Sequence, residues 1–276
     1  DKLVVNFITK QYRYGGYVQA DGLQMIGYDH GDYNVATNYV KGNNSYTVFA
    51  GANYSHVDGT ETWNNENYQF PQSLFDRESY SKNSYRNHQE YMQFRYQNQK
   101  GKRYWVGKFT LVNLSTPRNV SSGFARESTE TNVFSNIRKK SLSPKIDLNA
   151  NLPLSKNQTL TLGVHGKYSA NSYHRLYQEQ PFEAMTDEDE KALSFQLSAI
   201  YNYFSQKHSL SVELFHYHDV WNADYSGNCE LWQHLWKGES LAFFSYNFQA
   251  SRRLSLKTRI GLDWLQYHLH GDNSFS

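Results

Sequence analysis

The sequence predicts an all-β protein, an antiparallel up-and-down transmembrane β-barrel, here incomplete at about eleven strands. Three observations predict it. Apolar residues recur at every second position along most of the 276-residue chain, the period at which successive side chains of a strand face opposite ways. The alternating segments are joined in turn by short polar turns and by long connections, without a break in parity. Several segments run to about 12–16 residues, above the usual five or six of soluble sheets. Short turns on one side and long loops on the other are the pattern of a barrel whose turns are periplasmic and whose loops are extracellular.

In chain order, 14–26 rises to a short outer connection at 27–31, and 32–41 descends to a turn at 41–44. From 45 onward rising and descending strands alternate. The other short turns fall at 98–102, 155–158, 205–208 and 251–253, where Lys and Arg suit a wet boundary. Between them lie the long connections, near 57–85, 114–140, 177–190 and 222–238. Within 159–168, Leu160, Leu162, Val164 and Tyr168 alternate with Thr159, Thr161, His165 and Lys167. Over 193–203 the apolar side is Leu193, Phe195, Leu197, Ala199, Tyr201 and Tyr203, against Ser194, Gln196, Ser198 and Asn202. Leu210, Val212 and Leu214 then oppose Ser209, Ser211 and Glu213. The last strand, 254–269, sets Leu254, Leu256, Ile260, Leu262 and Trp264 against Ser255, Lys257, Arg259 and Asp263. A soluble sandwich would turn such apolar faces inward and a membrane barrel turns them outward. The number and length of the strands favour the barrel.

Composition agrees. Mean hydropathy is −0.79 and only 38% of residues are hydrophobic. The longest apolar run is Leu241, Ala242, Phe243 and Phe244, where a spanning helix needs roughly 20 residues. A tilted barrel strand of about ten residues sends only alternate side chains into lipid, so low hydropathy is compatible with a membrane protein. The 23 Tyr, 16 Phe and 6 Trp exceed what a globular core needs, and polar-tipped aromatics favour the membrane–water interface. Tyr104, Trp105, Tyr203 and Phe204 mark one belt near the short turns; Trp221, Trp264 and Tyr267 mark another. A net charge of +2 with both signs interspersed carries no basic stripe and gives no sign of a nucleic-acid partner. The single cysteine, Cys229, excludes an intrachain disulfide and reads as an incidental loop thiol. The absence of an initiating Met and a signal peptide, and about eleven strands where bacterial single-chain barrels have even counts, predict a piece of a longer, processed protein.

Leu3, Val4, Val5, Asn6, Phe7, Ile8, Thr9 and Lys10 resemble the stretch that ends the plug domain of TonB-dependent outer-membrane receptors. Tyr14, Gly15, Gly16, Tyr17, Val18, Gln19 and Ala20 look like that family's first barrel strand. Pattern over nearly the whole chain is most similar to the Bacteroidetes-type outer-membrane barrel family. The resemblance implies a division into 1–10, the end of a plug and its junction, and 11–276, the N-terminal half of a barrel of about 22 strands. It implies a receptor in the outer membrane of a Gram-negative bacterium for energised uptake of an iron chelate, a cofactor, a glycan or a peptide. The partners it implies are outer-membrane lipid, the protein's own plug domain, the inner-membrane energiser TonB and a surface lipoprotein. The alternatives are a non-transport barrel for adhesion or scaffolding and a soluble carbohydrate-binding β-sandwich.

Arg95, Lys108, Lys145, Asp147, His165, Lys167, Glu213, Lys257, Arg259 and Asp263 have the parity of the lumen. Lysine or arginine at the lipid midplane would cost roughly 2–4 kcal/mol. Plug contact is their preferred role and the substrate path the second. Trp63, Tyr68, Tyr177, Tyr225, Trp232 and Trp236 offer loop surfaces for stacking a ligand, with belt and loop packing as the plainer reading. His216 with His218, and His268 with His270, each place two imidazoles on one strand face, and His234 falls between them. Their parity points outward, which favours solvated belt-edge histidines over metal or haem capture. The acidic run Thr186, Asp187, Glu188, Asp189 and Glu190 lacks the glycine and terminal glutamate of an EF-hand loop and reads as solvated rather than calcium-binding. No phosphate loop, nucleophile elbow or zinc-hydrolase motif occurs, so neither an enzyme nor a cofactor is expected.

Overall fold

The computed structural model describes residues 14–27, 29–70, 73–127, 129–251 and 254–275. The plug-like stretch 1–10 and the turn residues Arg252 and Arg253 lie outside them. The described residues form one antiparallel sheet and no helix: β1 (Tyr14–Gln24), β2 (Asp29–Lys41), β3 (Asn44–Phe70), β4 (Ser73–Lys100), β5 (Arg103–Arg126), β6 (Glu130–Ser155), β7 (Gln158–Glu179), β8 (Phe182–Phe204), β9 (His208–Gly227), β10 (Cys229–Gln249) and β11 (Ser255–Phe275). Spatial order is chain order from β1 to β11. Among the described residues no ladder joins β1 to β11, so the sheet is an up-and-down meander with two open edges, an incomplete barrel. The strands do not divide into the two packed sheets of a sandwich.

The register fixes the faces. One face carries Leu152, Ala150, Leu148, Ile146, Pro144 and Leu142 on β6, opposite Leu160, Leu162, Val164, Gly166 and Tyr168 of β7. It continues through Tyr201, Ala199, Leu197, Phe195 and Leu193 of β8, Val212 and Leu214 of β9, Phe244 and Ala242 of β10, and Ile260 and Leu262 of β11. On β6 to β8 this band is close to the 9–11 residues that a strand tilted about 45° needs to cross a bilayer. Above it the same face turns polar: Arg138 and Lys140 on β6, His174 on β7, Lys191 and Asp189 on β8. The opposite face is mostly polar at the level of the band, with Val112, Ile200, Phe215 and Phe243 set among its polar and charged side chains.

No core in the globular sense exists. Among the described residues the buried apolar side chains are three alanines, Ala125, Ala150 and Ala223, while Leu214, Leu262 and Trp264 are 50%, 73% and 67% exposed. An uncovered apolar band of this extent far exceeds the patches a soluble monomer tolerates. Among the described residues no helix is long and apolar enough to cross a membrane.

Both ends of the strands close tightly. Gly42-Asn43 and Gly101-Lys102 are two-residue loops between the paired ends Lys41 and Asn44, and Lys100 and Arg103. The glycines, at φ 63° and 59°, occupy the first central position of the turn, where type II′ requires positive φ. At the other end the long connections expected at 57–85, 114–140, 177–190 and 222–238 prove to be strand. β3 and β4 stay paired from Asn44 with Asn98 to Phe70 with Ser73, and Trp63, Tyr68, Tyr177, Tyr225, Trp232 and Trp236 all lie in ladders rather than in loops. Tall hairpins therefore replace loops. Cross-strand pairs sustain them: Trp63 packs on Tyr80 and Phe124 at ring centroids 4.6 and 6.0 Å, with Arg126 over Phe124 at 5.4 Å.

Candidate functional site

The polar face is the concave one. Near the tops of the hairpins Arg77 of β4 reaches Glu179 of β7 at 3.3 Å and Glu127 at 3.9 Å. In a flat sheet β4 and β7 lie three inter-strand gaps apart, about 14 Å, and the two side chains meet over the polar face. Below them a groove of about 630 Å³ spans β3 to β8. Its polar-face lining includes Asn53, Ser55, Asn87, Gln89, Thr116, Ser141, Asn171 and Tyr173, with Lys139 and Glu188 as charges.

The groove is preordered by its own hydrogen bonds. Ser141 donates to Asn171 Oδ1 at 2.6 Å, Asn171 Nδ2 to Glu190 at 3.4 Å, and Thr116 to Asn87 Oδ1 at 2.7 Å. The Lys139 ammonium lies 5.3 Å from the Tyr173 ring centroid. Amide and hydroxyl groups present donors and acceptors in pairs, a chemistry that recognises neutral polar ligands. The Asn, Gln, Ser and Thr side chains of the groove do not stand out in the sequence: their parity is visible there, but their common height depends on register across six strands.

Closer to the short turns stands a charged cluster. Asp147, 8% exposed, accepts from His165 Nδ1 at 2.9 Å and pairs with the Lys108 and Lys145 ammonium groups at 3.0 and 3.6 Å. Glu213 pairs with Arg259 at 3.4 Å, and Arg259 lies over the Phe243 ring at 4.5 Å. Arg95, Lys108, Lys145, Asp147, His165, Lys167, Glu213, Lys257, Arg259 and Asp263 all fall on this face, opposite the apolar band. The structure gathers Lys108, Lys145, Asp147 and His165 into one site; Glu213 and Arg259 form another.

The six aromatic candidates divide. Tyr68, Tyr177 and Tyr225 have the parity of the concave face, whereas Trp63, Trp232 and Trp236 have that of the banded face. A single stacking platform from all six is therefore excluded. Tyr177 donates to Glu179, and that hydrogen bond, followed by burial, raises the phenol above its usual value. Burial and then Glu188 raise Tyr225 likewise. Both phenols are thus protonated donors at neutral pH.

The histidine pairs also take the banded face. His218 meets Trp236 edge-on at 5.5 Å and His270 meets Trp232 at 5.0 Å, while His234 is hydrogen-bonded to Asn222. The acidic run splits between faces: Asp187, bonded to His174, and Asp189 on the banded side, Glu188 and Glu190 on the concave side. Among the described residues no three His, Cys, Asp or Glu side chains converge to cage a metal ion. Cys229 is exposed at the start of β10. No family model, curated protein or solved structure matches this chain.

Proposed function

We propose that this sheet is part of the barrel wall of an outer-membrane receptor that imports a polar ligand, with the banded face against lipid and the concave face toward a plug. The observation that carries the reading is the pairing of two opposite faces on one sheet: an uncovered apolar band on the outside and a hydrogen-bonding groove inside. Lipid is the solvent that such a band requires, and closed sheets are the β-architecture that lipid tolerates. The charged cluster around Asp147 then faces the plug near the short-turn end of the wall, and the groove lies on the ligand's path above it. The predominance of amide and hydroxyl groups, with Lys139 and Glu188 as opposite charges, fits a glycan or peptide better than a charged iron chelate. Energy for uptake comes, by the family resemblance, from TonB acting on the plug, and a surface lipoprotein is the further partner.

A non-transport barrel is the second reading, favoured by the cluster of Trp63, Tyr80 and Phe124 on the outer side of the tall β3–β5 hairpins, where an adhesive surface would sit. Growth of a deletion strain on glycans, peptides, iron chelates and cobalamin as sole sources separates the two. Loss of growth on one class is expected. Unimpaired growth on every class would leave the adhesion or scaffold reading.

A further inference from the structure

Where β2, β3 and β4 leave the apolar band, three side chains form a line across them. His56 Nδ1 donates to Asp29 Oδ2 at 2.6 Å, and His56 Nε2 stands 3.3 Å from His88 Nε2. The imidazoles meet edge-on, with centroids 5.0 Å apart and planes at 76°. All three residues share the banded face. In register His56 is opposite Arg86 and His88 is opposite Tyr54, so the rings approach along a diagonal. Register shifts bracket both: one between Val57 and Thr60 in the β3–β4 pairing, another between Arg86 and His88 in the β4–β5 pairing. Bulges of this kind bend a strand and re-aim its side chains, and they concentrate next to functional sites.

We propose that His56 and His88 form a divalent metal site, best suited to Zn2+, with Asp29 as the supporting carboxylate. Two imidazole nitrogens bound at about 2.0–2.1 Å to one tetrahedral ion stand about 3.3–3.4 Å apart. A right-angled, square-planar bite at the same bond length would bring them to about 2.9 Å, so the spacing selects against the geometry Cu2+ and Ni2+ prefer. Donation of the His56 Nδ1 proton to Asp29 holds the tautomer that leaves Nε2 with its lone pair toward the ion, the carboxylate–histidine–metal arrangement. His88 binds through Nε2 as the neutral tautomer that carries its one proton on Nδ1. No group of three ligating side chains is present among the described residues, so the remaining positions fall to water or to a donor brought by a bound molecule. This is an open site, not a closed structural one. An ion there ties β2, β3 and β4 together at the foot of the tallest hairpin, and the assignment stands whether or not the barrel transports anything.

The test uses the full chain folded in detergent and titrated calorimetrically with Zn2+ alone. One ion per chain is expected, with affinity lowered at least tenfold in H56Q and in H88Q and by about 10–100-fold in D29N. His216→Gln, on the same face but away from the site, should bind as the parent does. A stoichiometry well below one, or an affinity in H56Q and H88Q equal to that of the unmutated chain, overturns the site. Acylation of histidines by diethylpyrocarbonate in the unmutated chain gives a reading free of any folding defect. Zn2+ should shield His56 and His88 and leave His216 unchanged; equal reactivity with and without Zn2+ refutes the proposal.

Discussion

Asp147 shows what a single residue decides in a wall one sheet thick. It is the one charged side chain that is buried among the described residues, and three donors from β5, β6 and β7 converge on it. Removing its charge leaves Lys108 and Lys145 facing each other across β5 and β6 with no counter-ion between them. Both lysines are part-exposed, at 35% and 48%, so solvent screens much of the cost. Asp147→Asn is expected to lower the unfolding free energy in detergent by roughly 1–3 kcal/mol. Glu213→Gln, whose partner Arg259 is 60% exposed, should cost less than about 1 kcal/mol. Urea denaturation of both variants in the same micelle compares them. Parity alone places Lys108, Lys145, Asp147 and His165 on one face of the sequence. Their convergence is not legible there, because it requires the register that sets Lys108 opposite Asp147 and Asp147 opposite His165.

At the scale of elements, the halves of the strands that carry the apolar band are legible and the upper halves are not. The stretch 57–85 is rich in Asn, Ser and Gly59 and reads as a loop. Above the band both faces of a hairpin are wet, so the apolar alternation that marks a half-buried strand fades while the backbone ladder continues. What holds the ladder there is cross-strand pairing, as in Trp63 with Tyr80, Tyr80 with Phe124 and Arg126 with Glu78 at 3.4 Å. The same fading hides the division of the aromatic candidates between faces, since the register shift after Val57 moves Trp63 onto the face of His56. Excising 61–82 and joining the strands by a two-residue turn should leave the hydrogen-exchange protection of β6–β8 within the band unchanged. Exchange at the top of the β5–β6 hairpin should rise, because Phe124 loses both aromatic neighbours and Glu179 loses Arg77. Loss of protection throughout the sheet would mean that the hairpins carry the fold.

For the whole molecule, strand number, order and the identity of each face follow from period-two patterning, and the incomplete barrel expected from the odd strand count is met by the open edges at β1 and β11, which alternation alone does not fix. Pairing between distant strands is a long-range choice that local alternation leaves undetermined. At the level of the band the sheet has an apolar face that water does not suit and a mostly polar face that lipid does not suit. Nitroxide scanning along 193–199 of β8, in a Cys229→Ser background reconstituted into bilayers, tests it most directly. Labels at Leu193, Phe195, Leu197 and Ala199 should collide with lipid-soluble oxygen, and labels at Ser194, Gln196 and Ser198 with a water-soluble nickel chelate, alternating residue by residue. Nickel access at the first set, or no alternation, would contradict a lipid-facing band and remove the basis for a barrel wall.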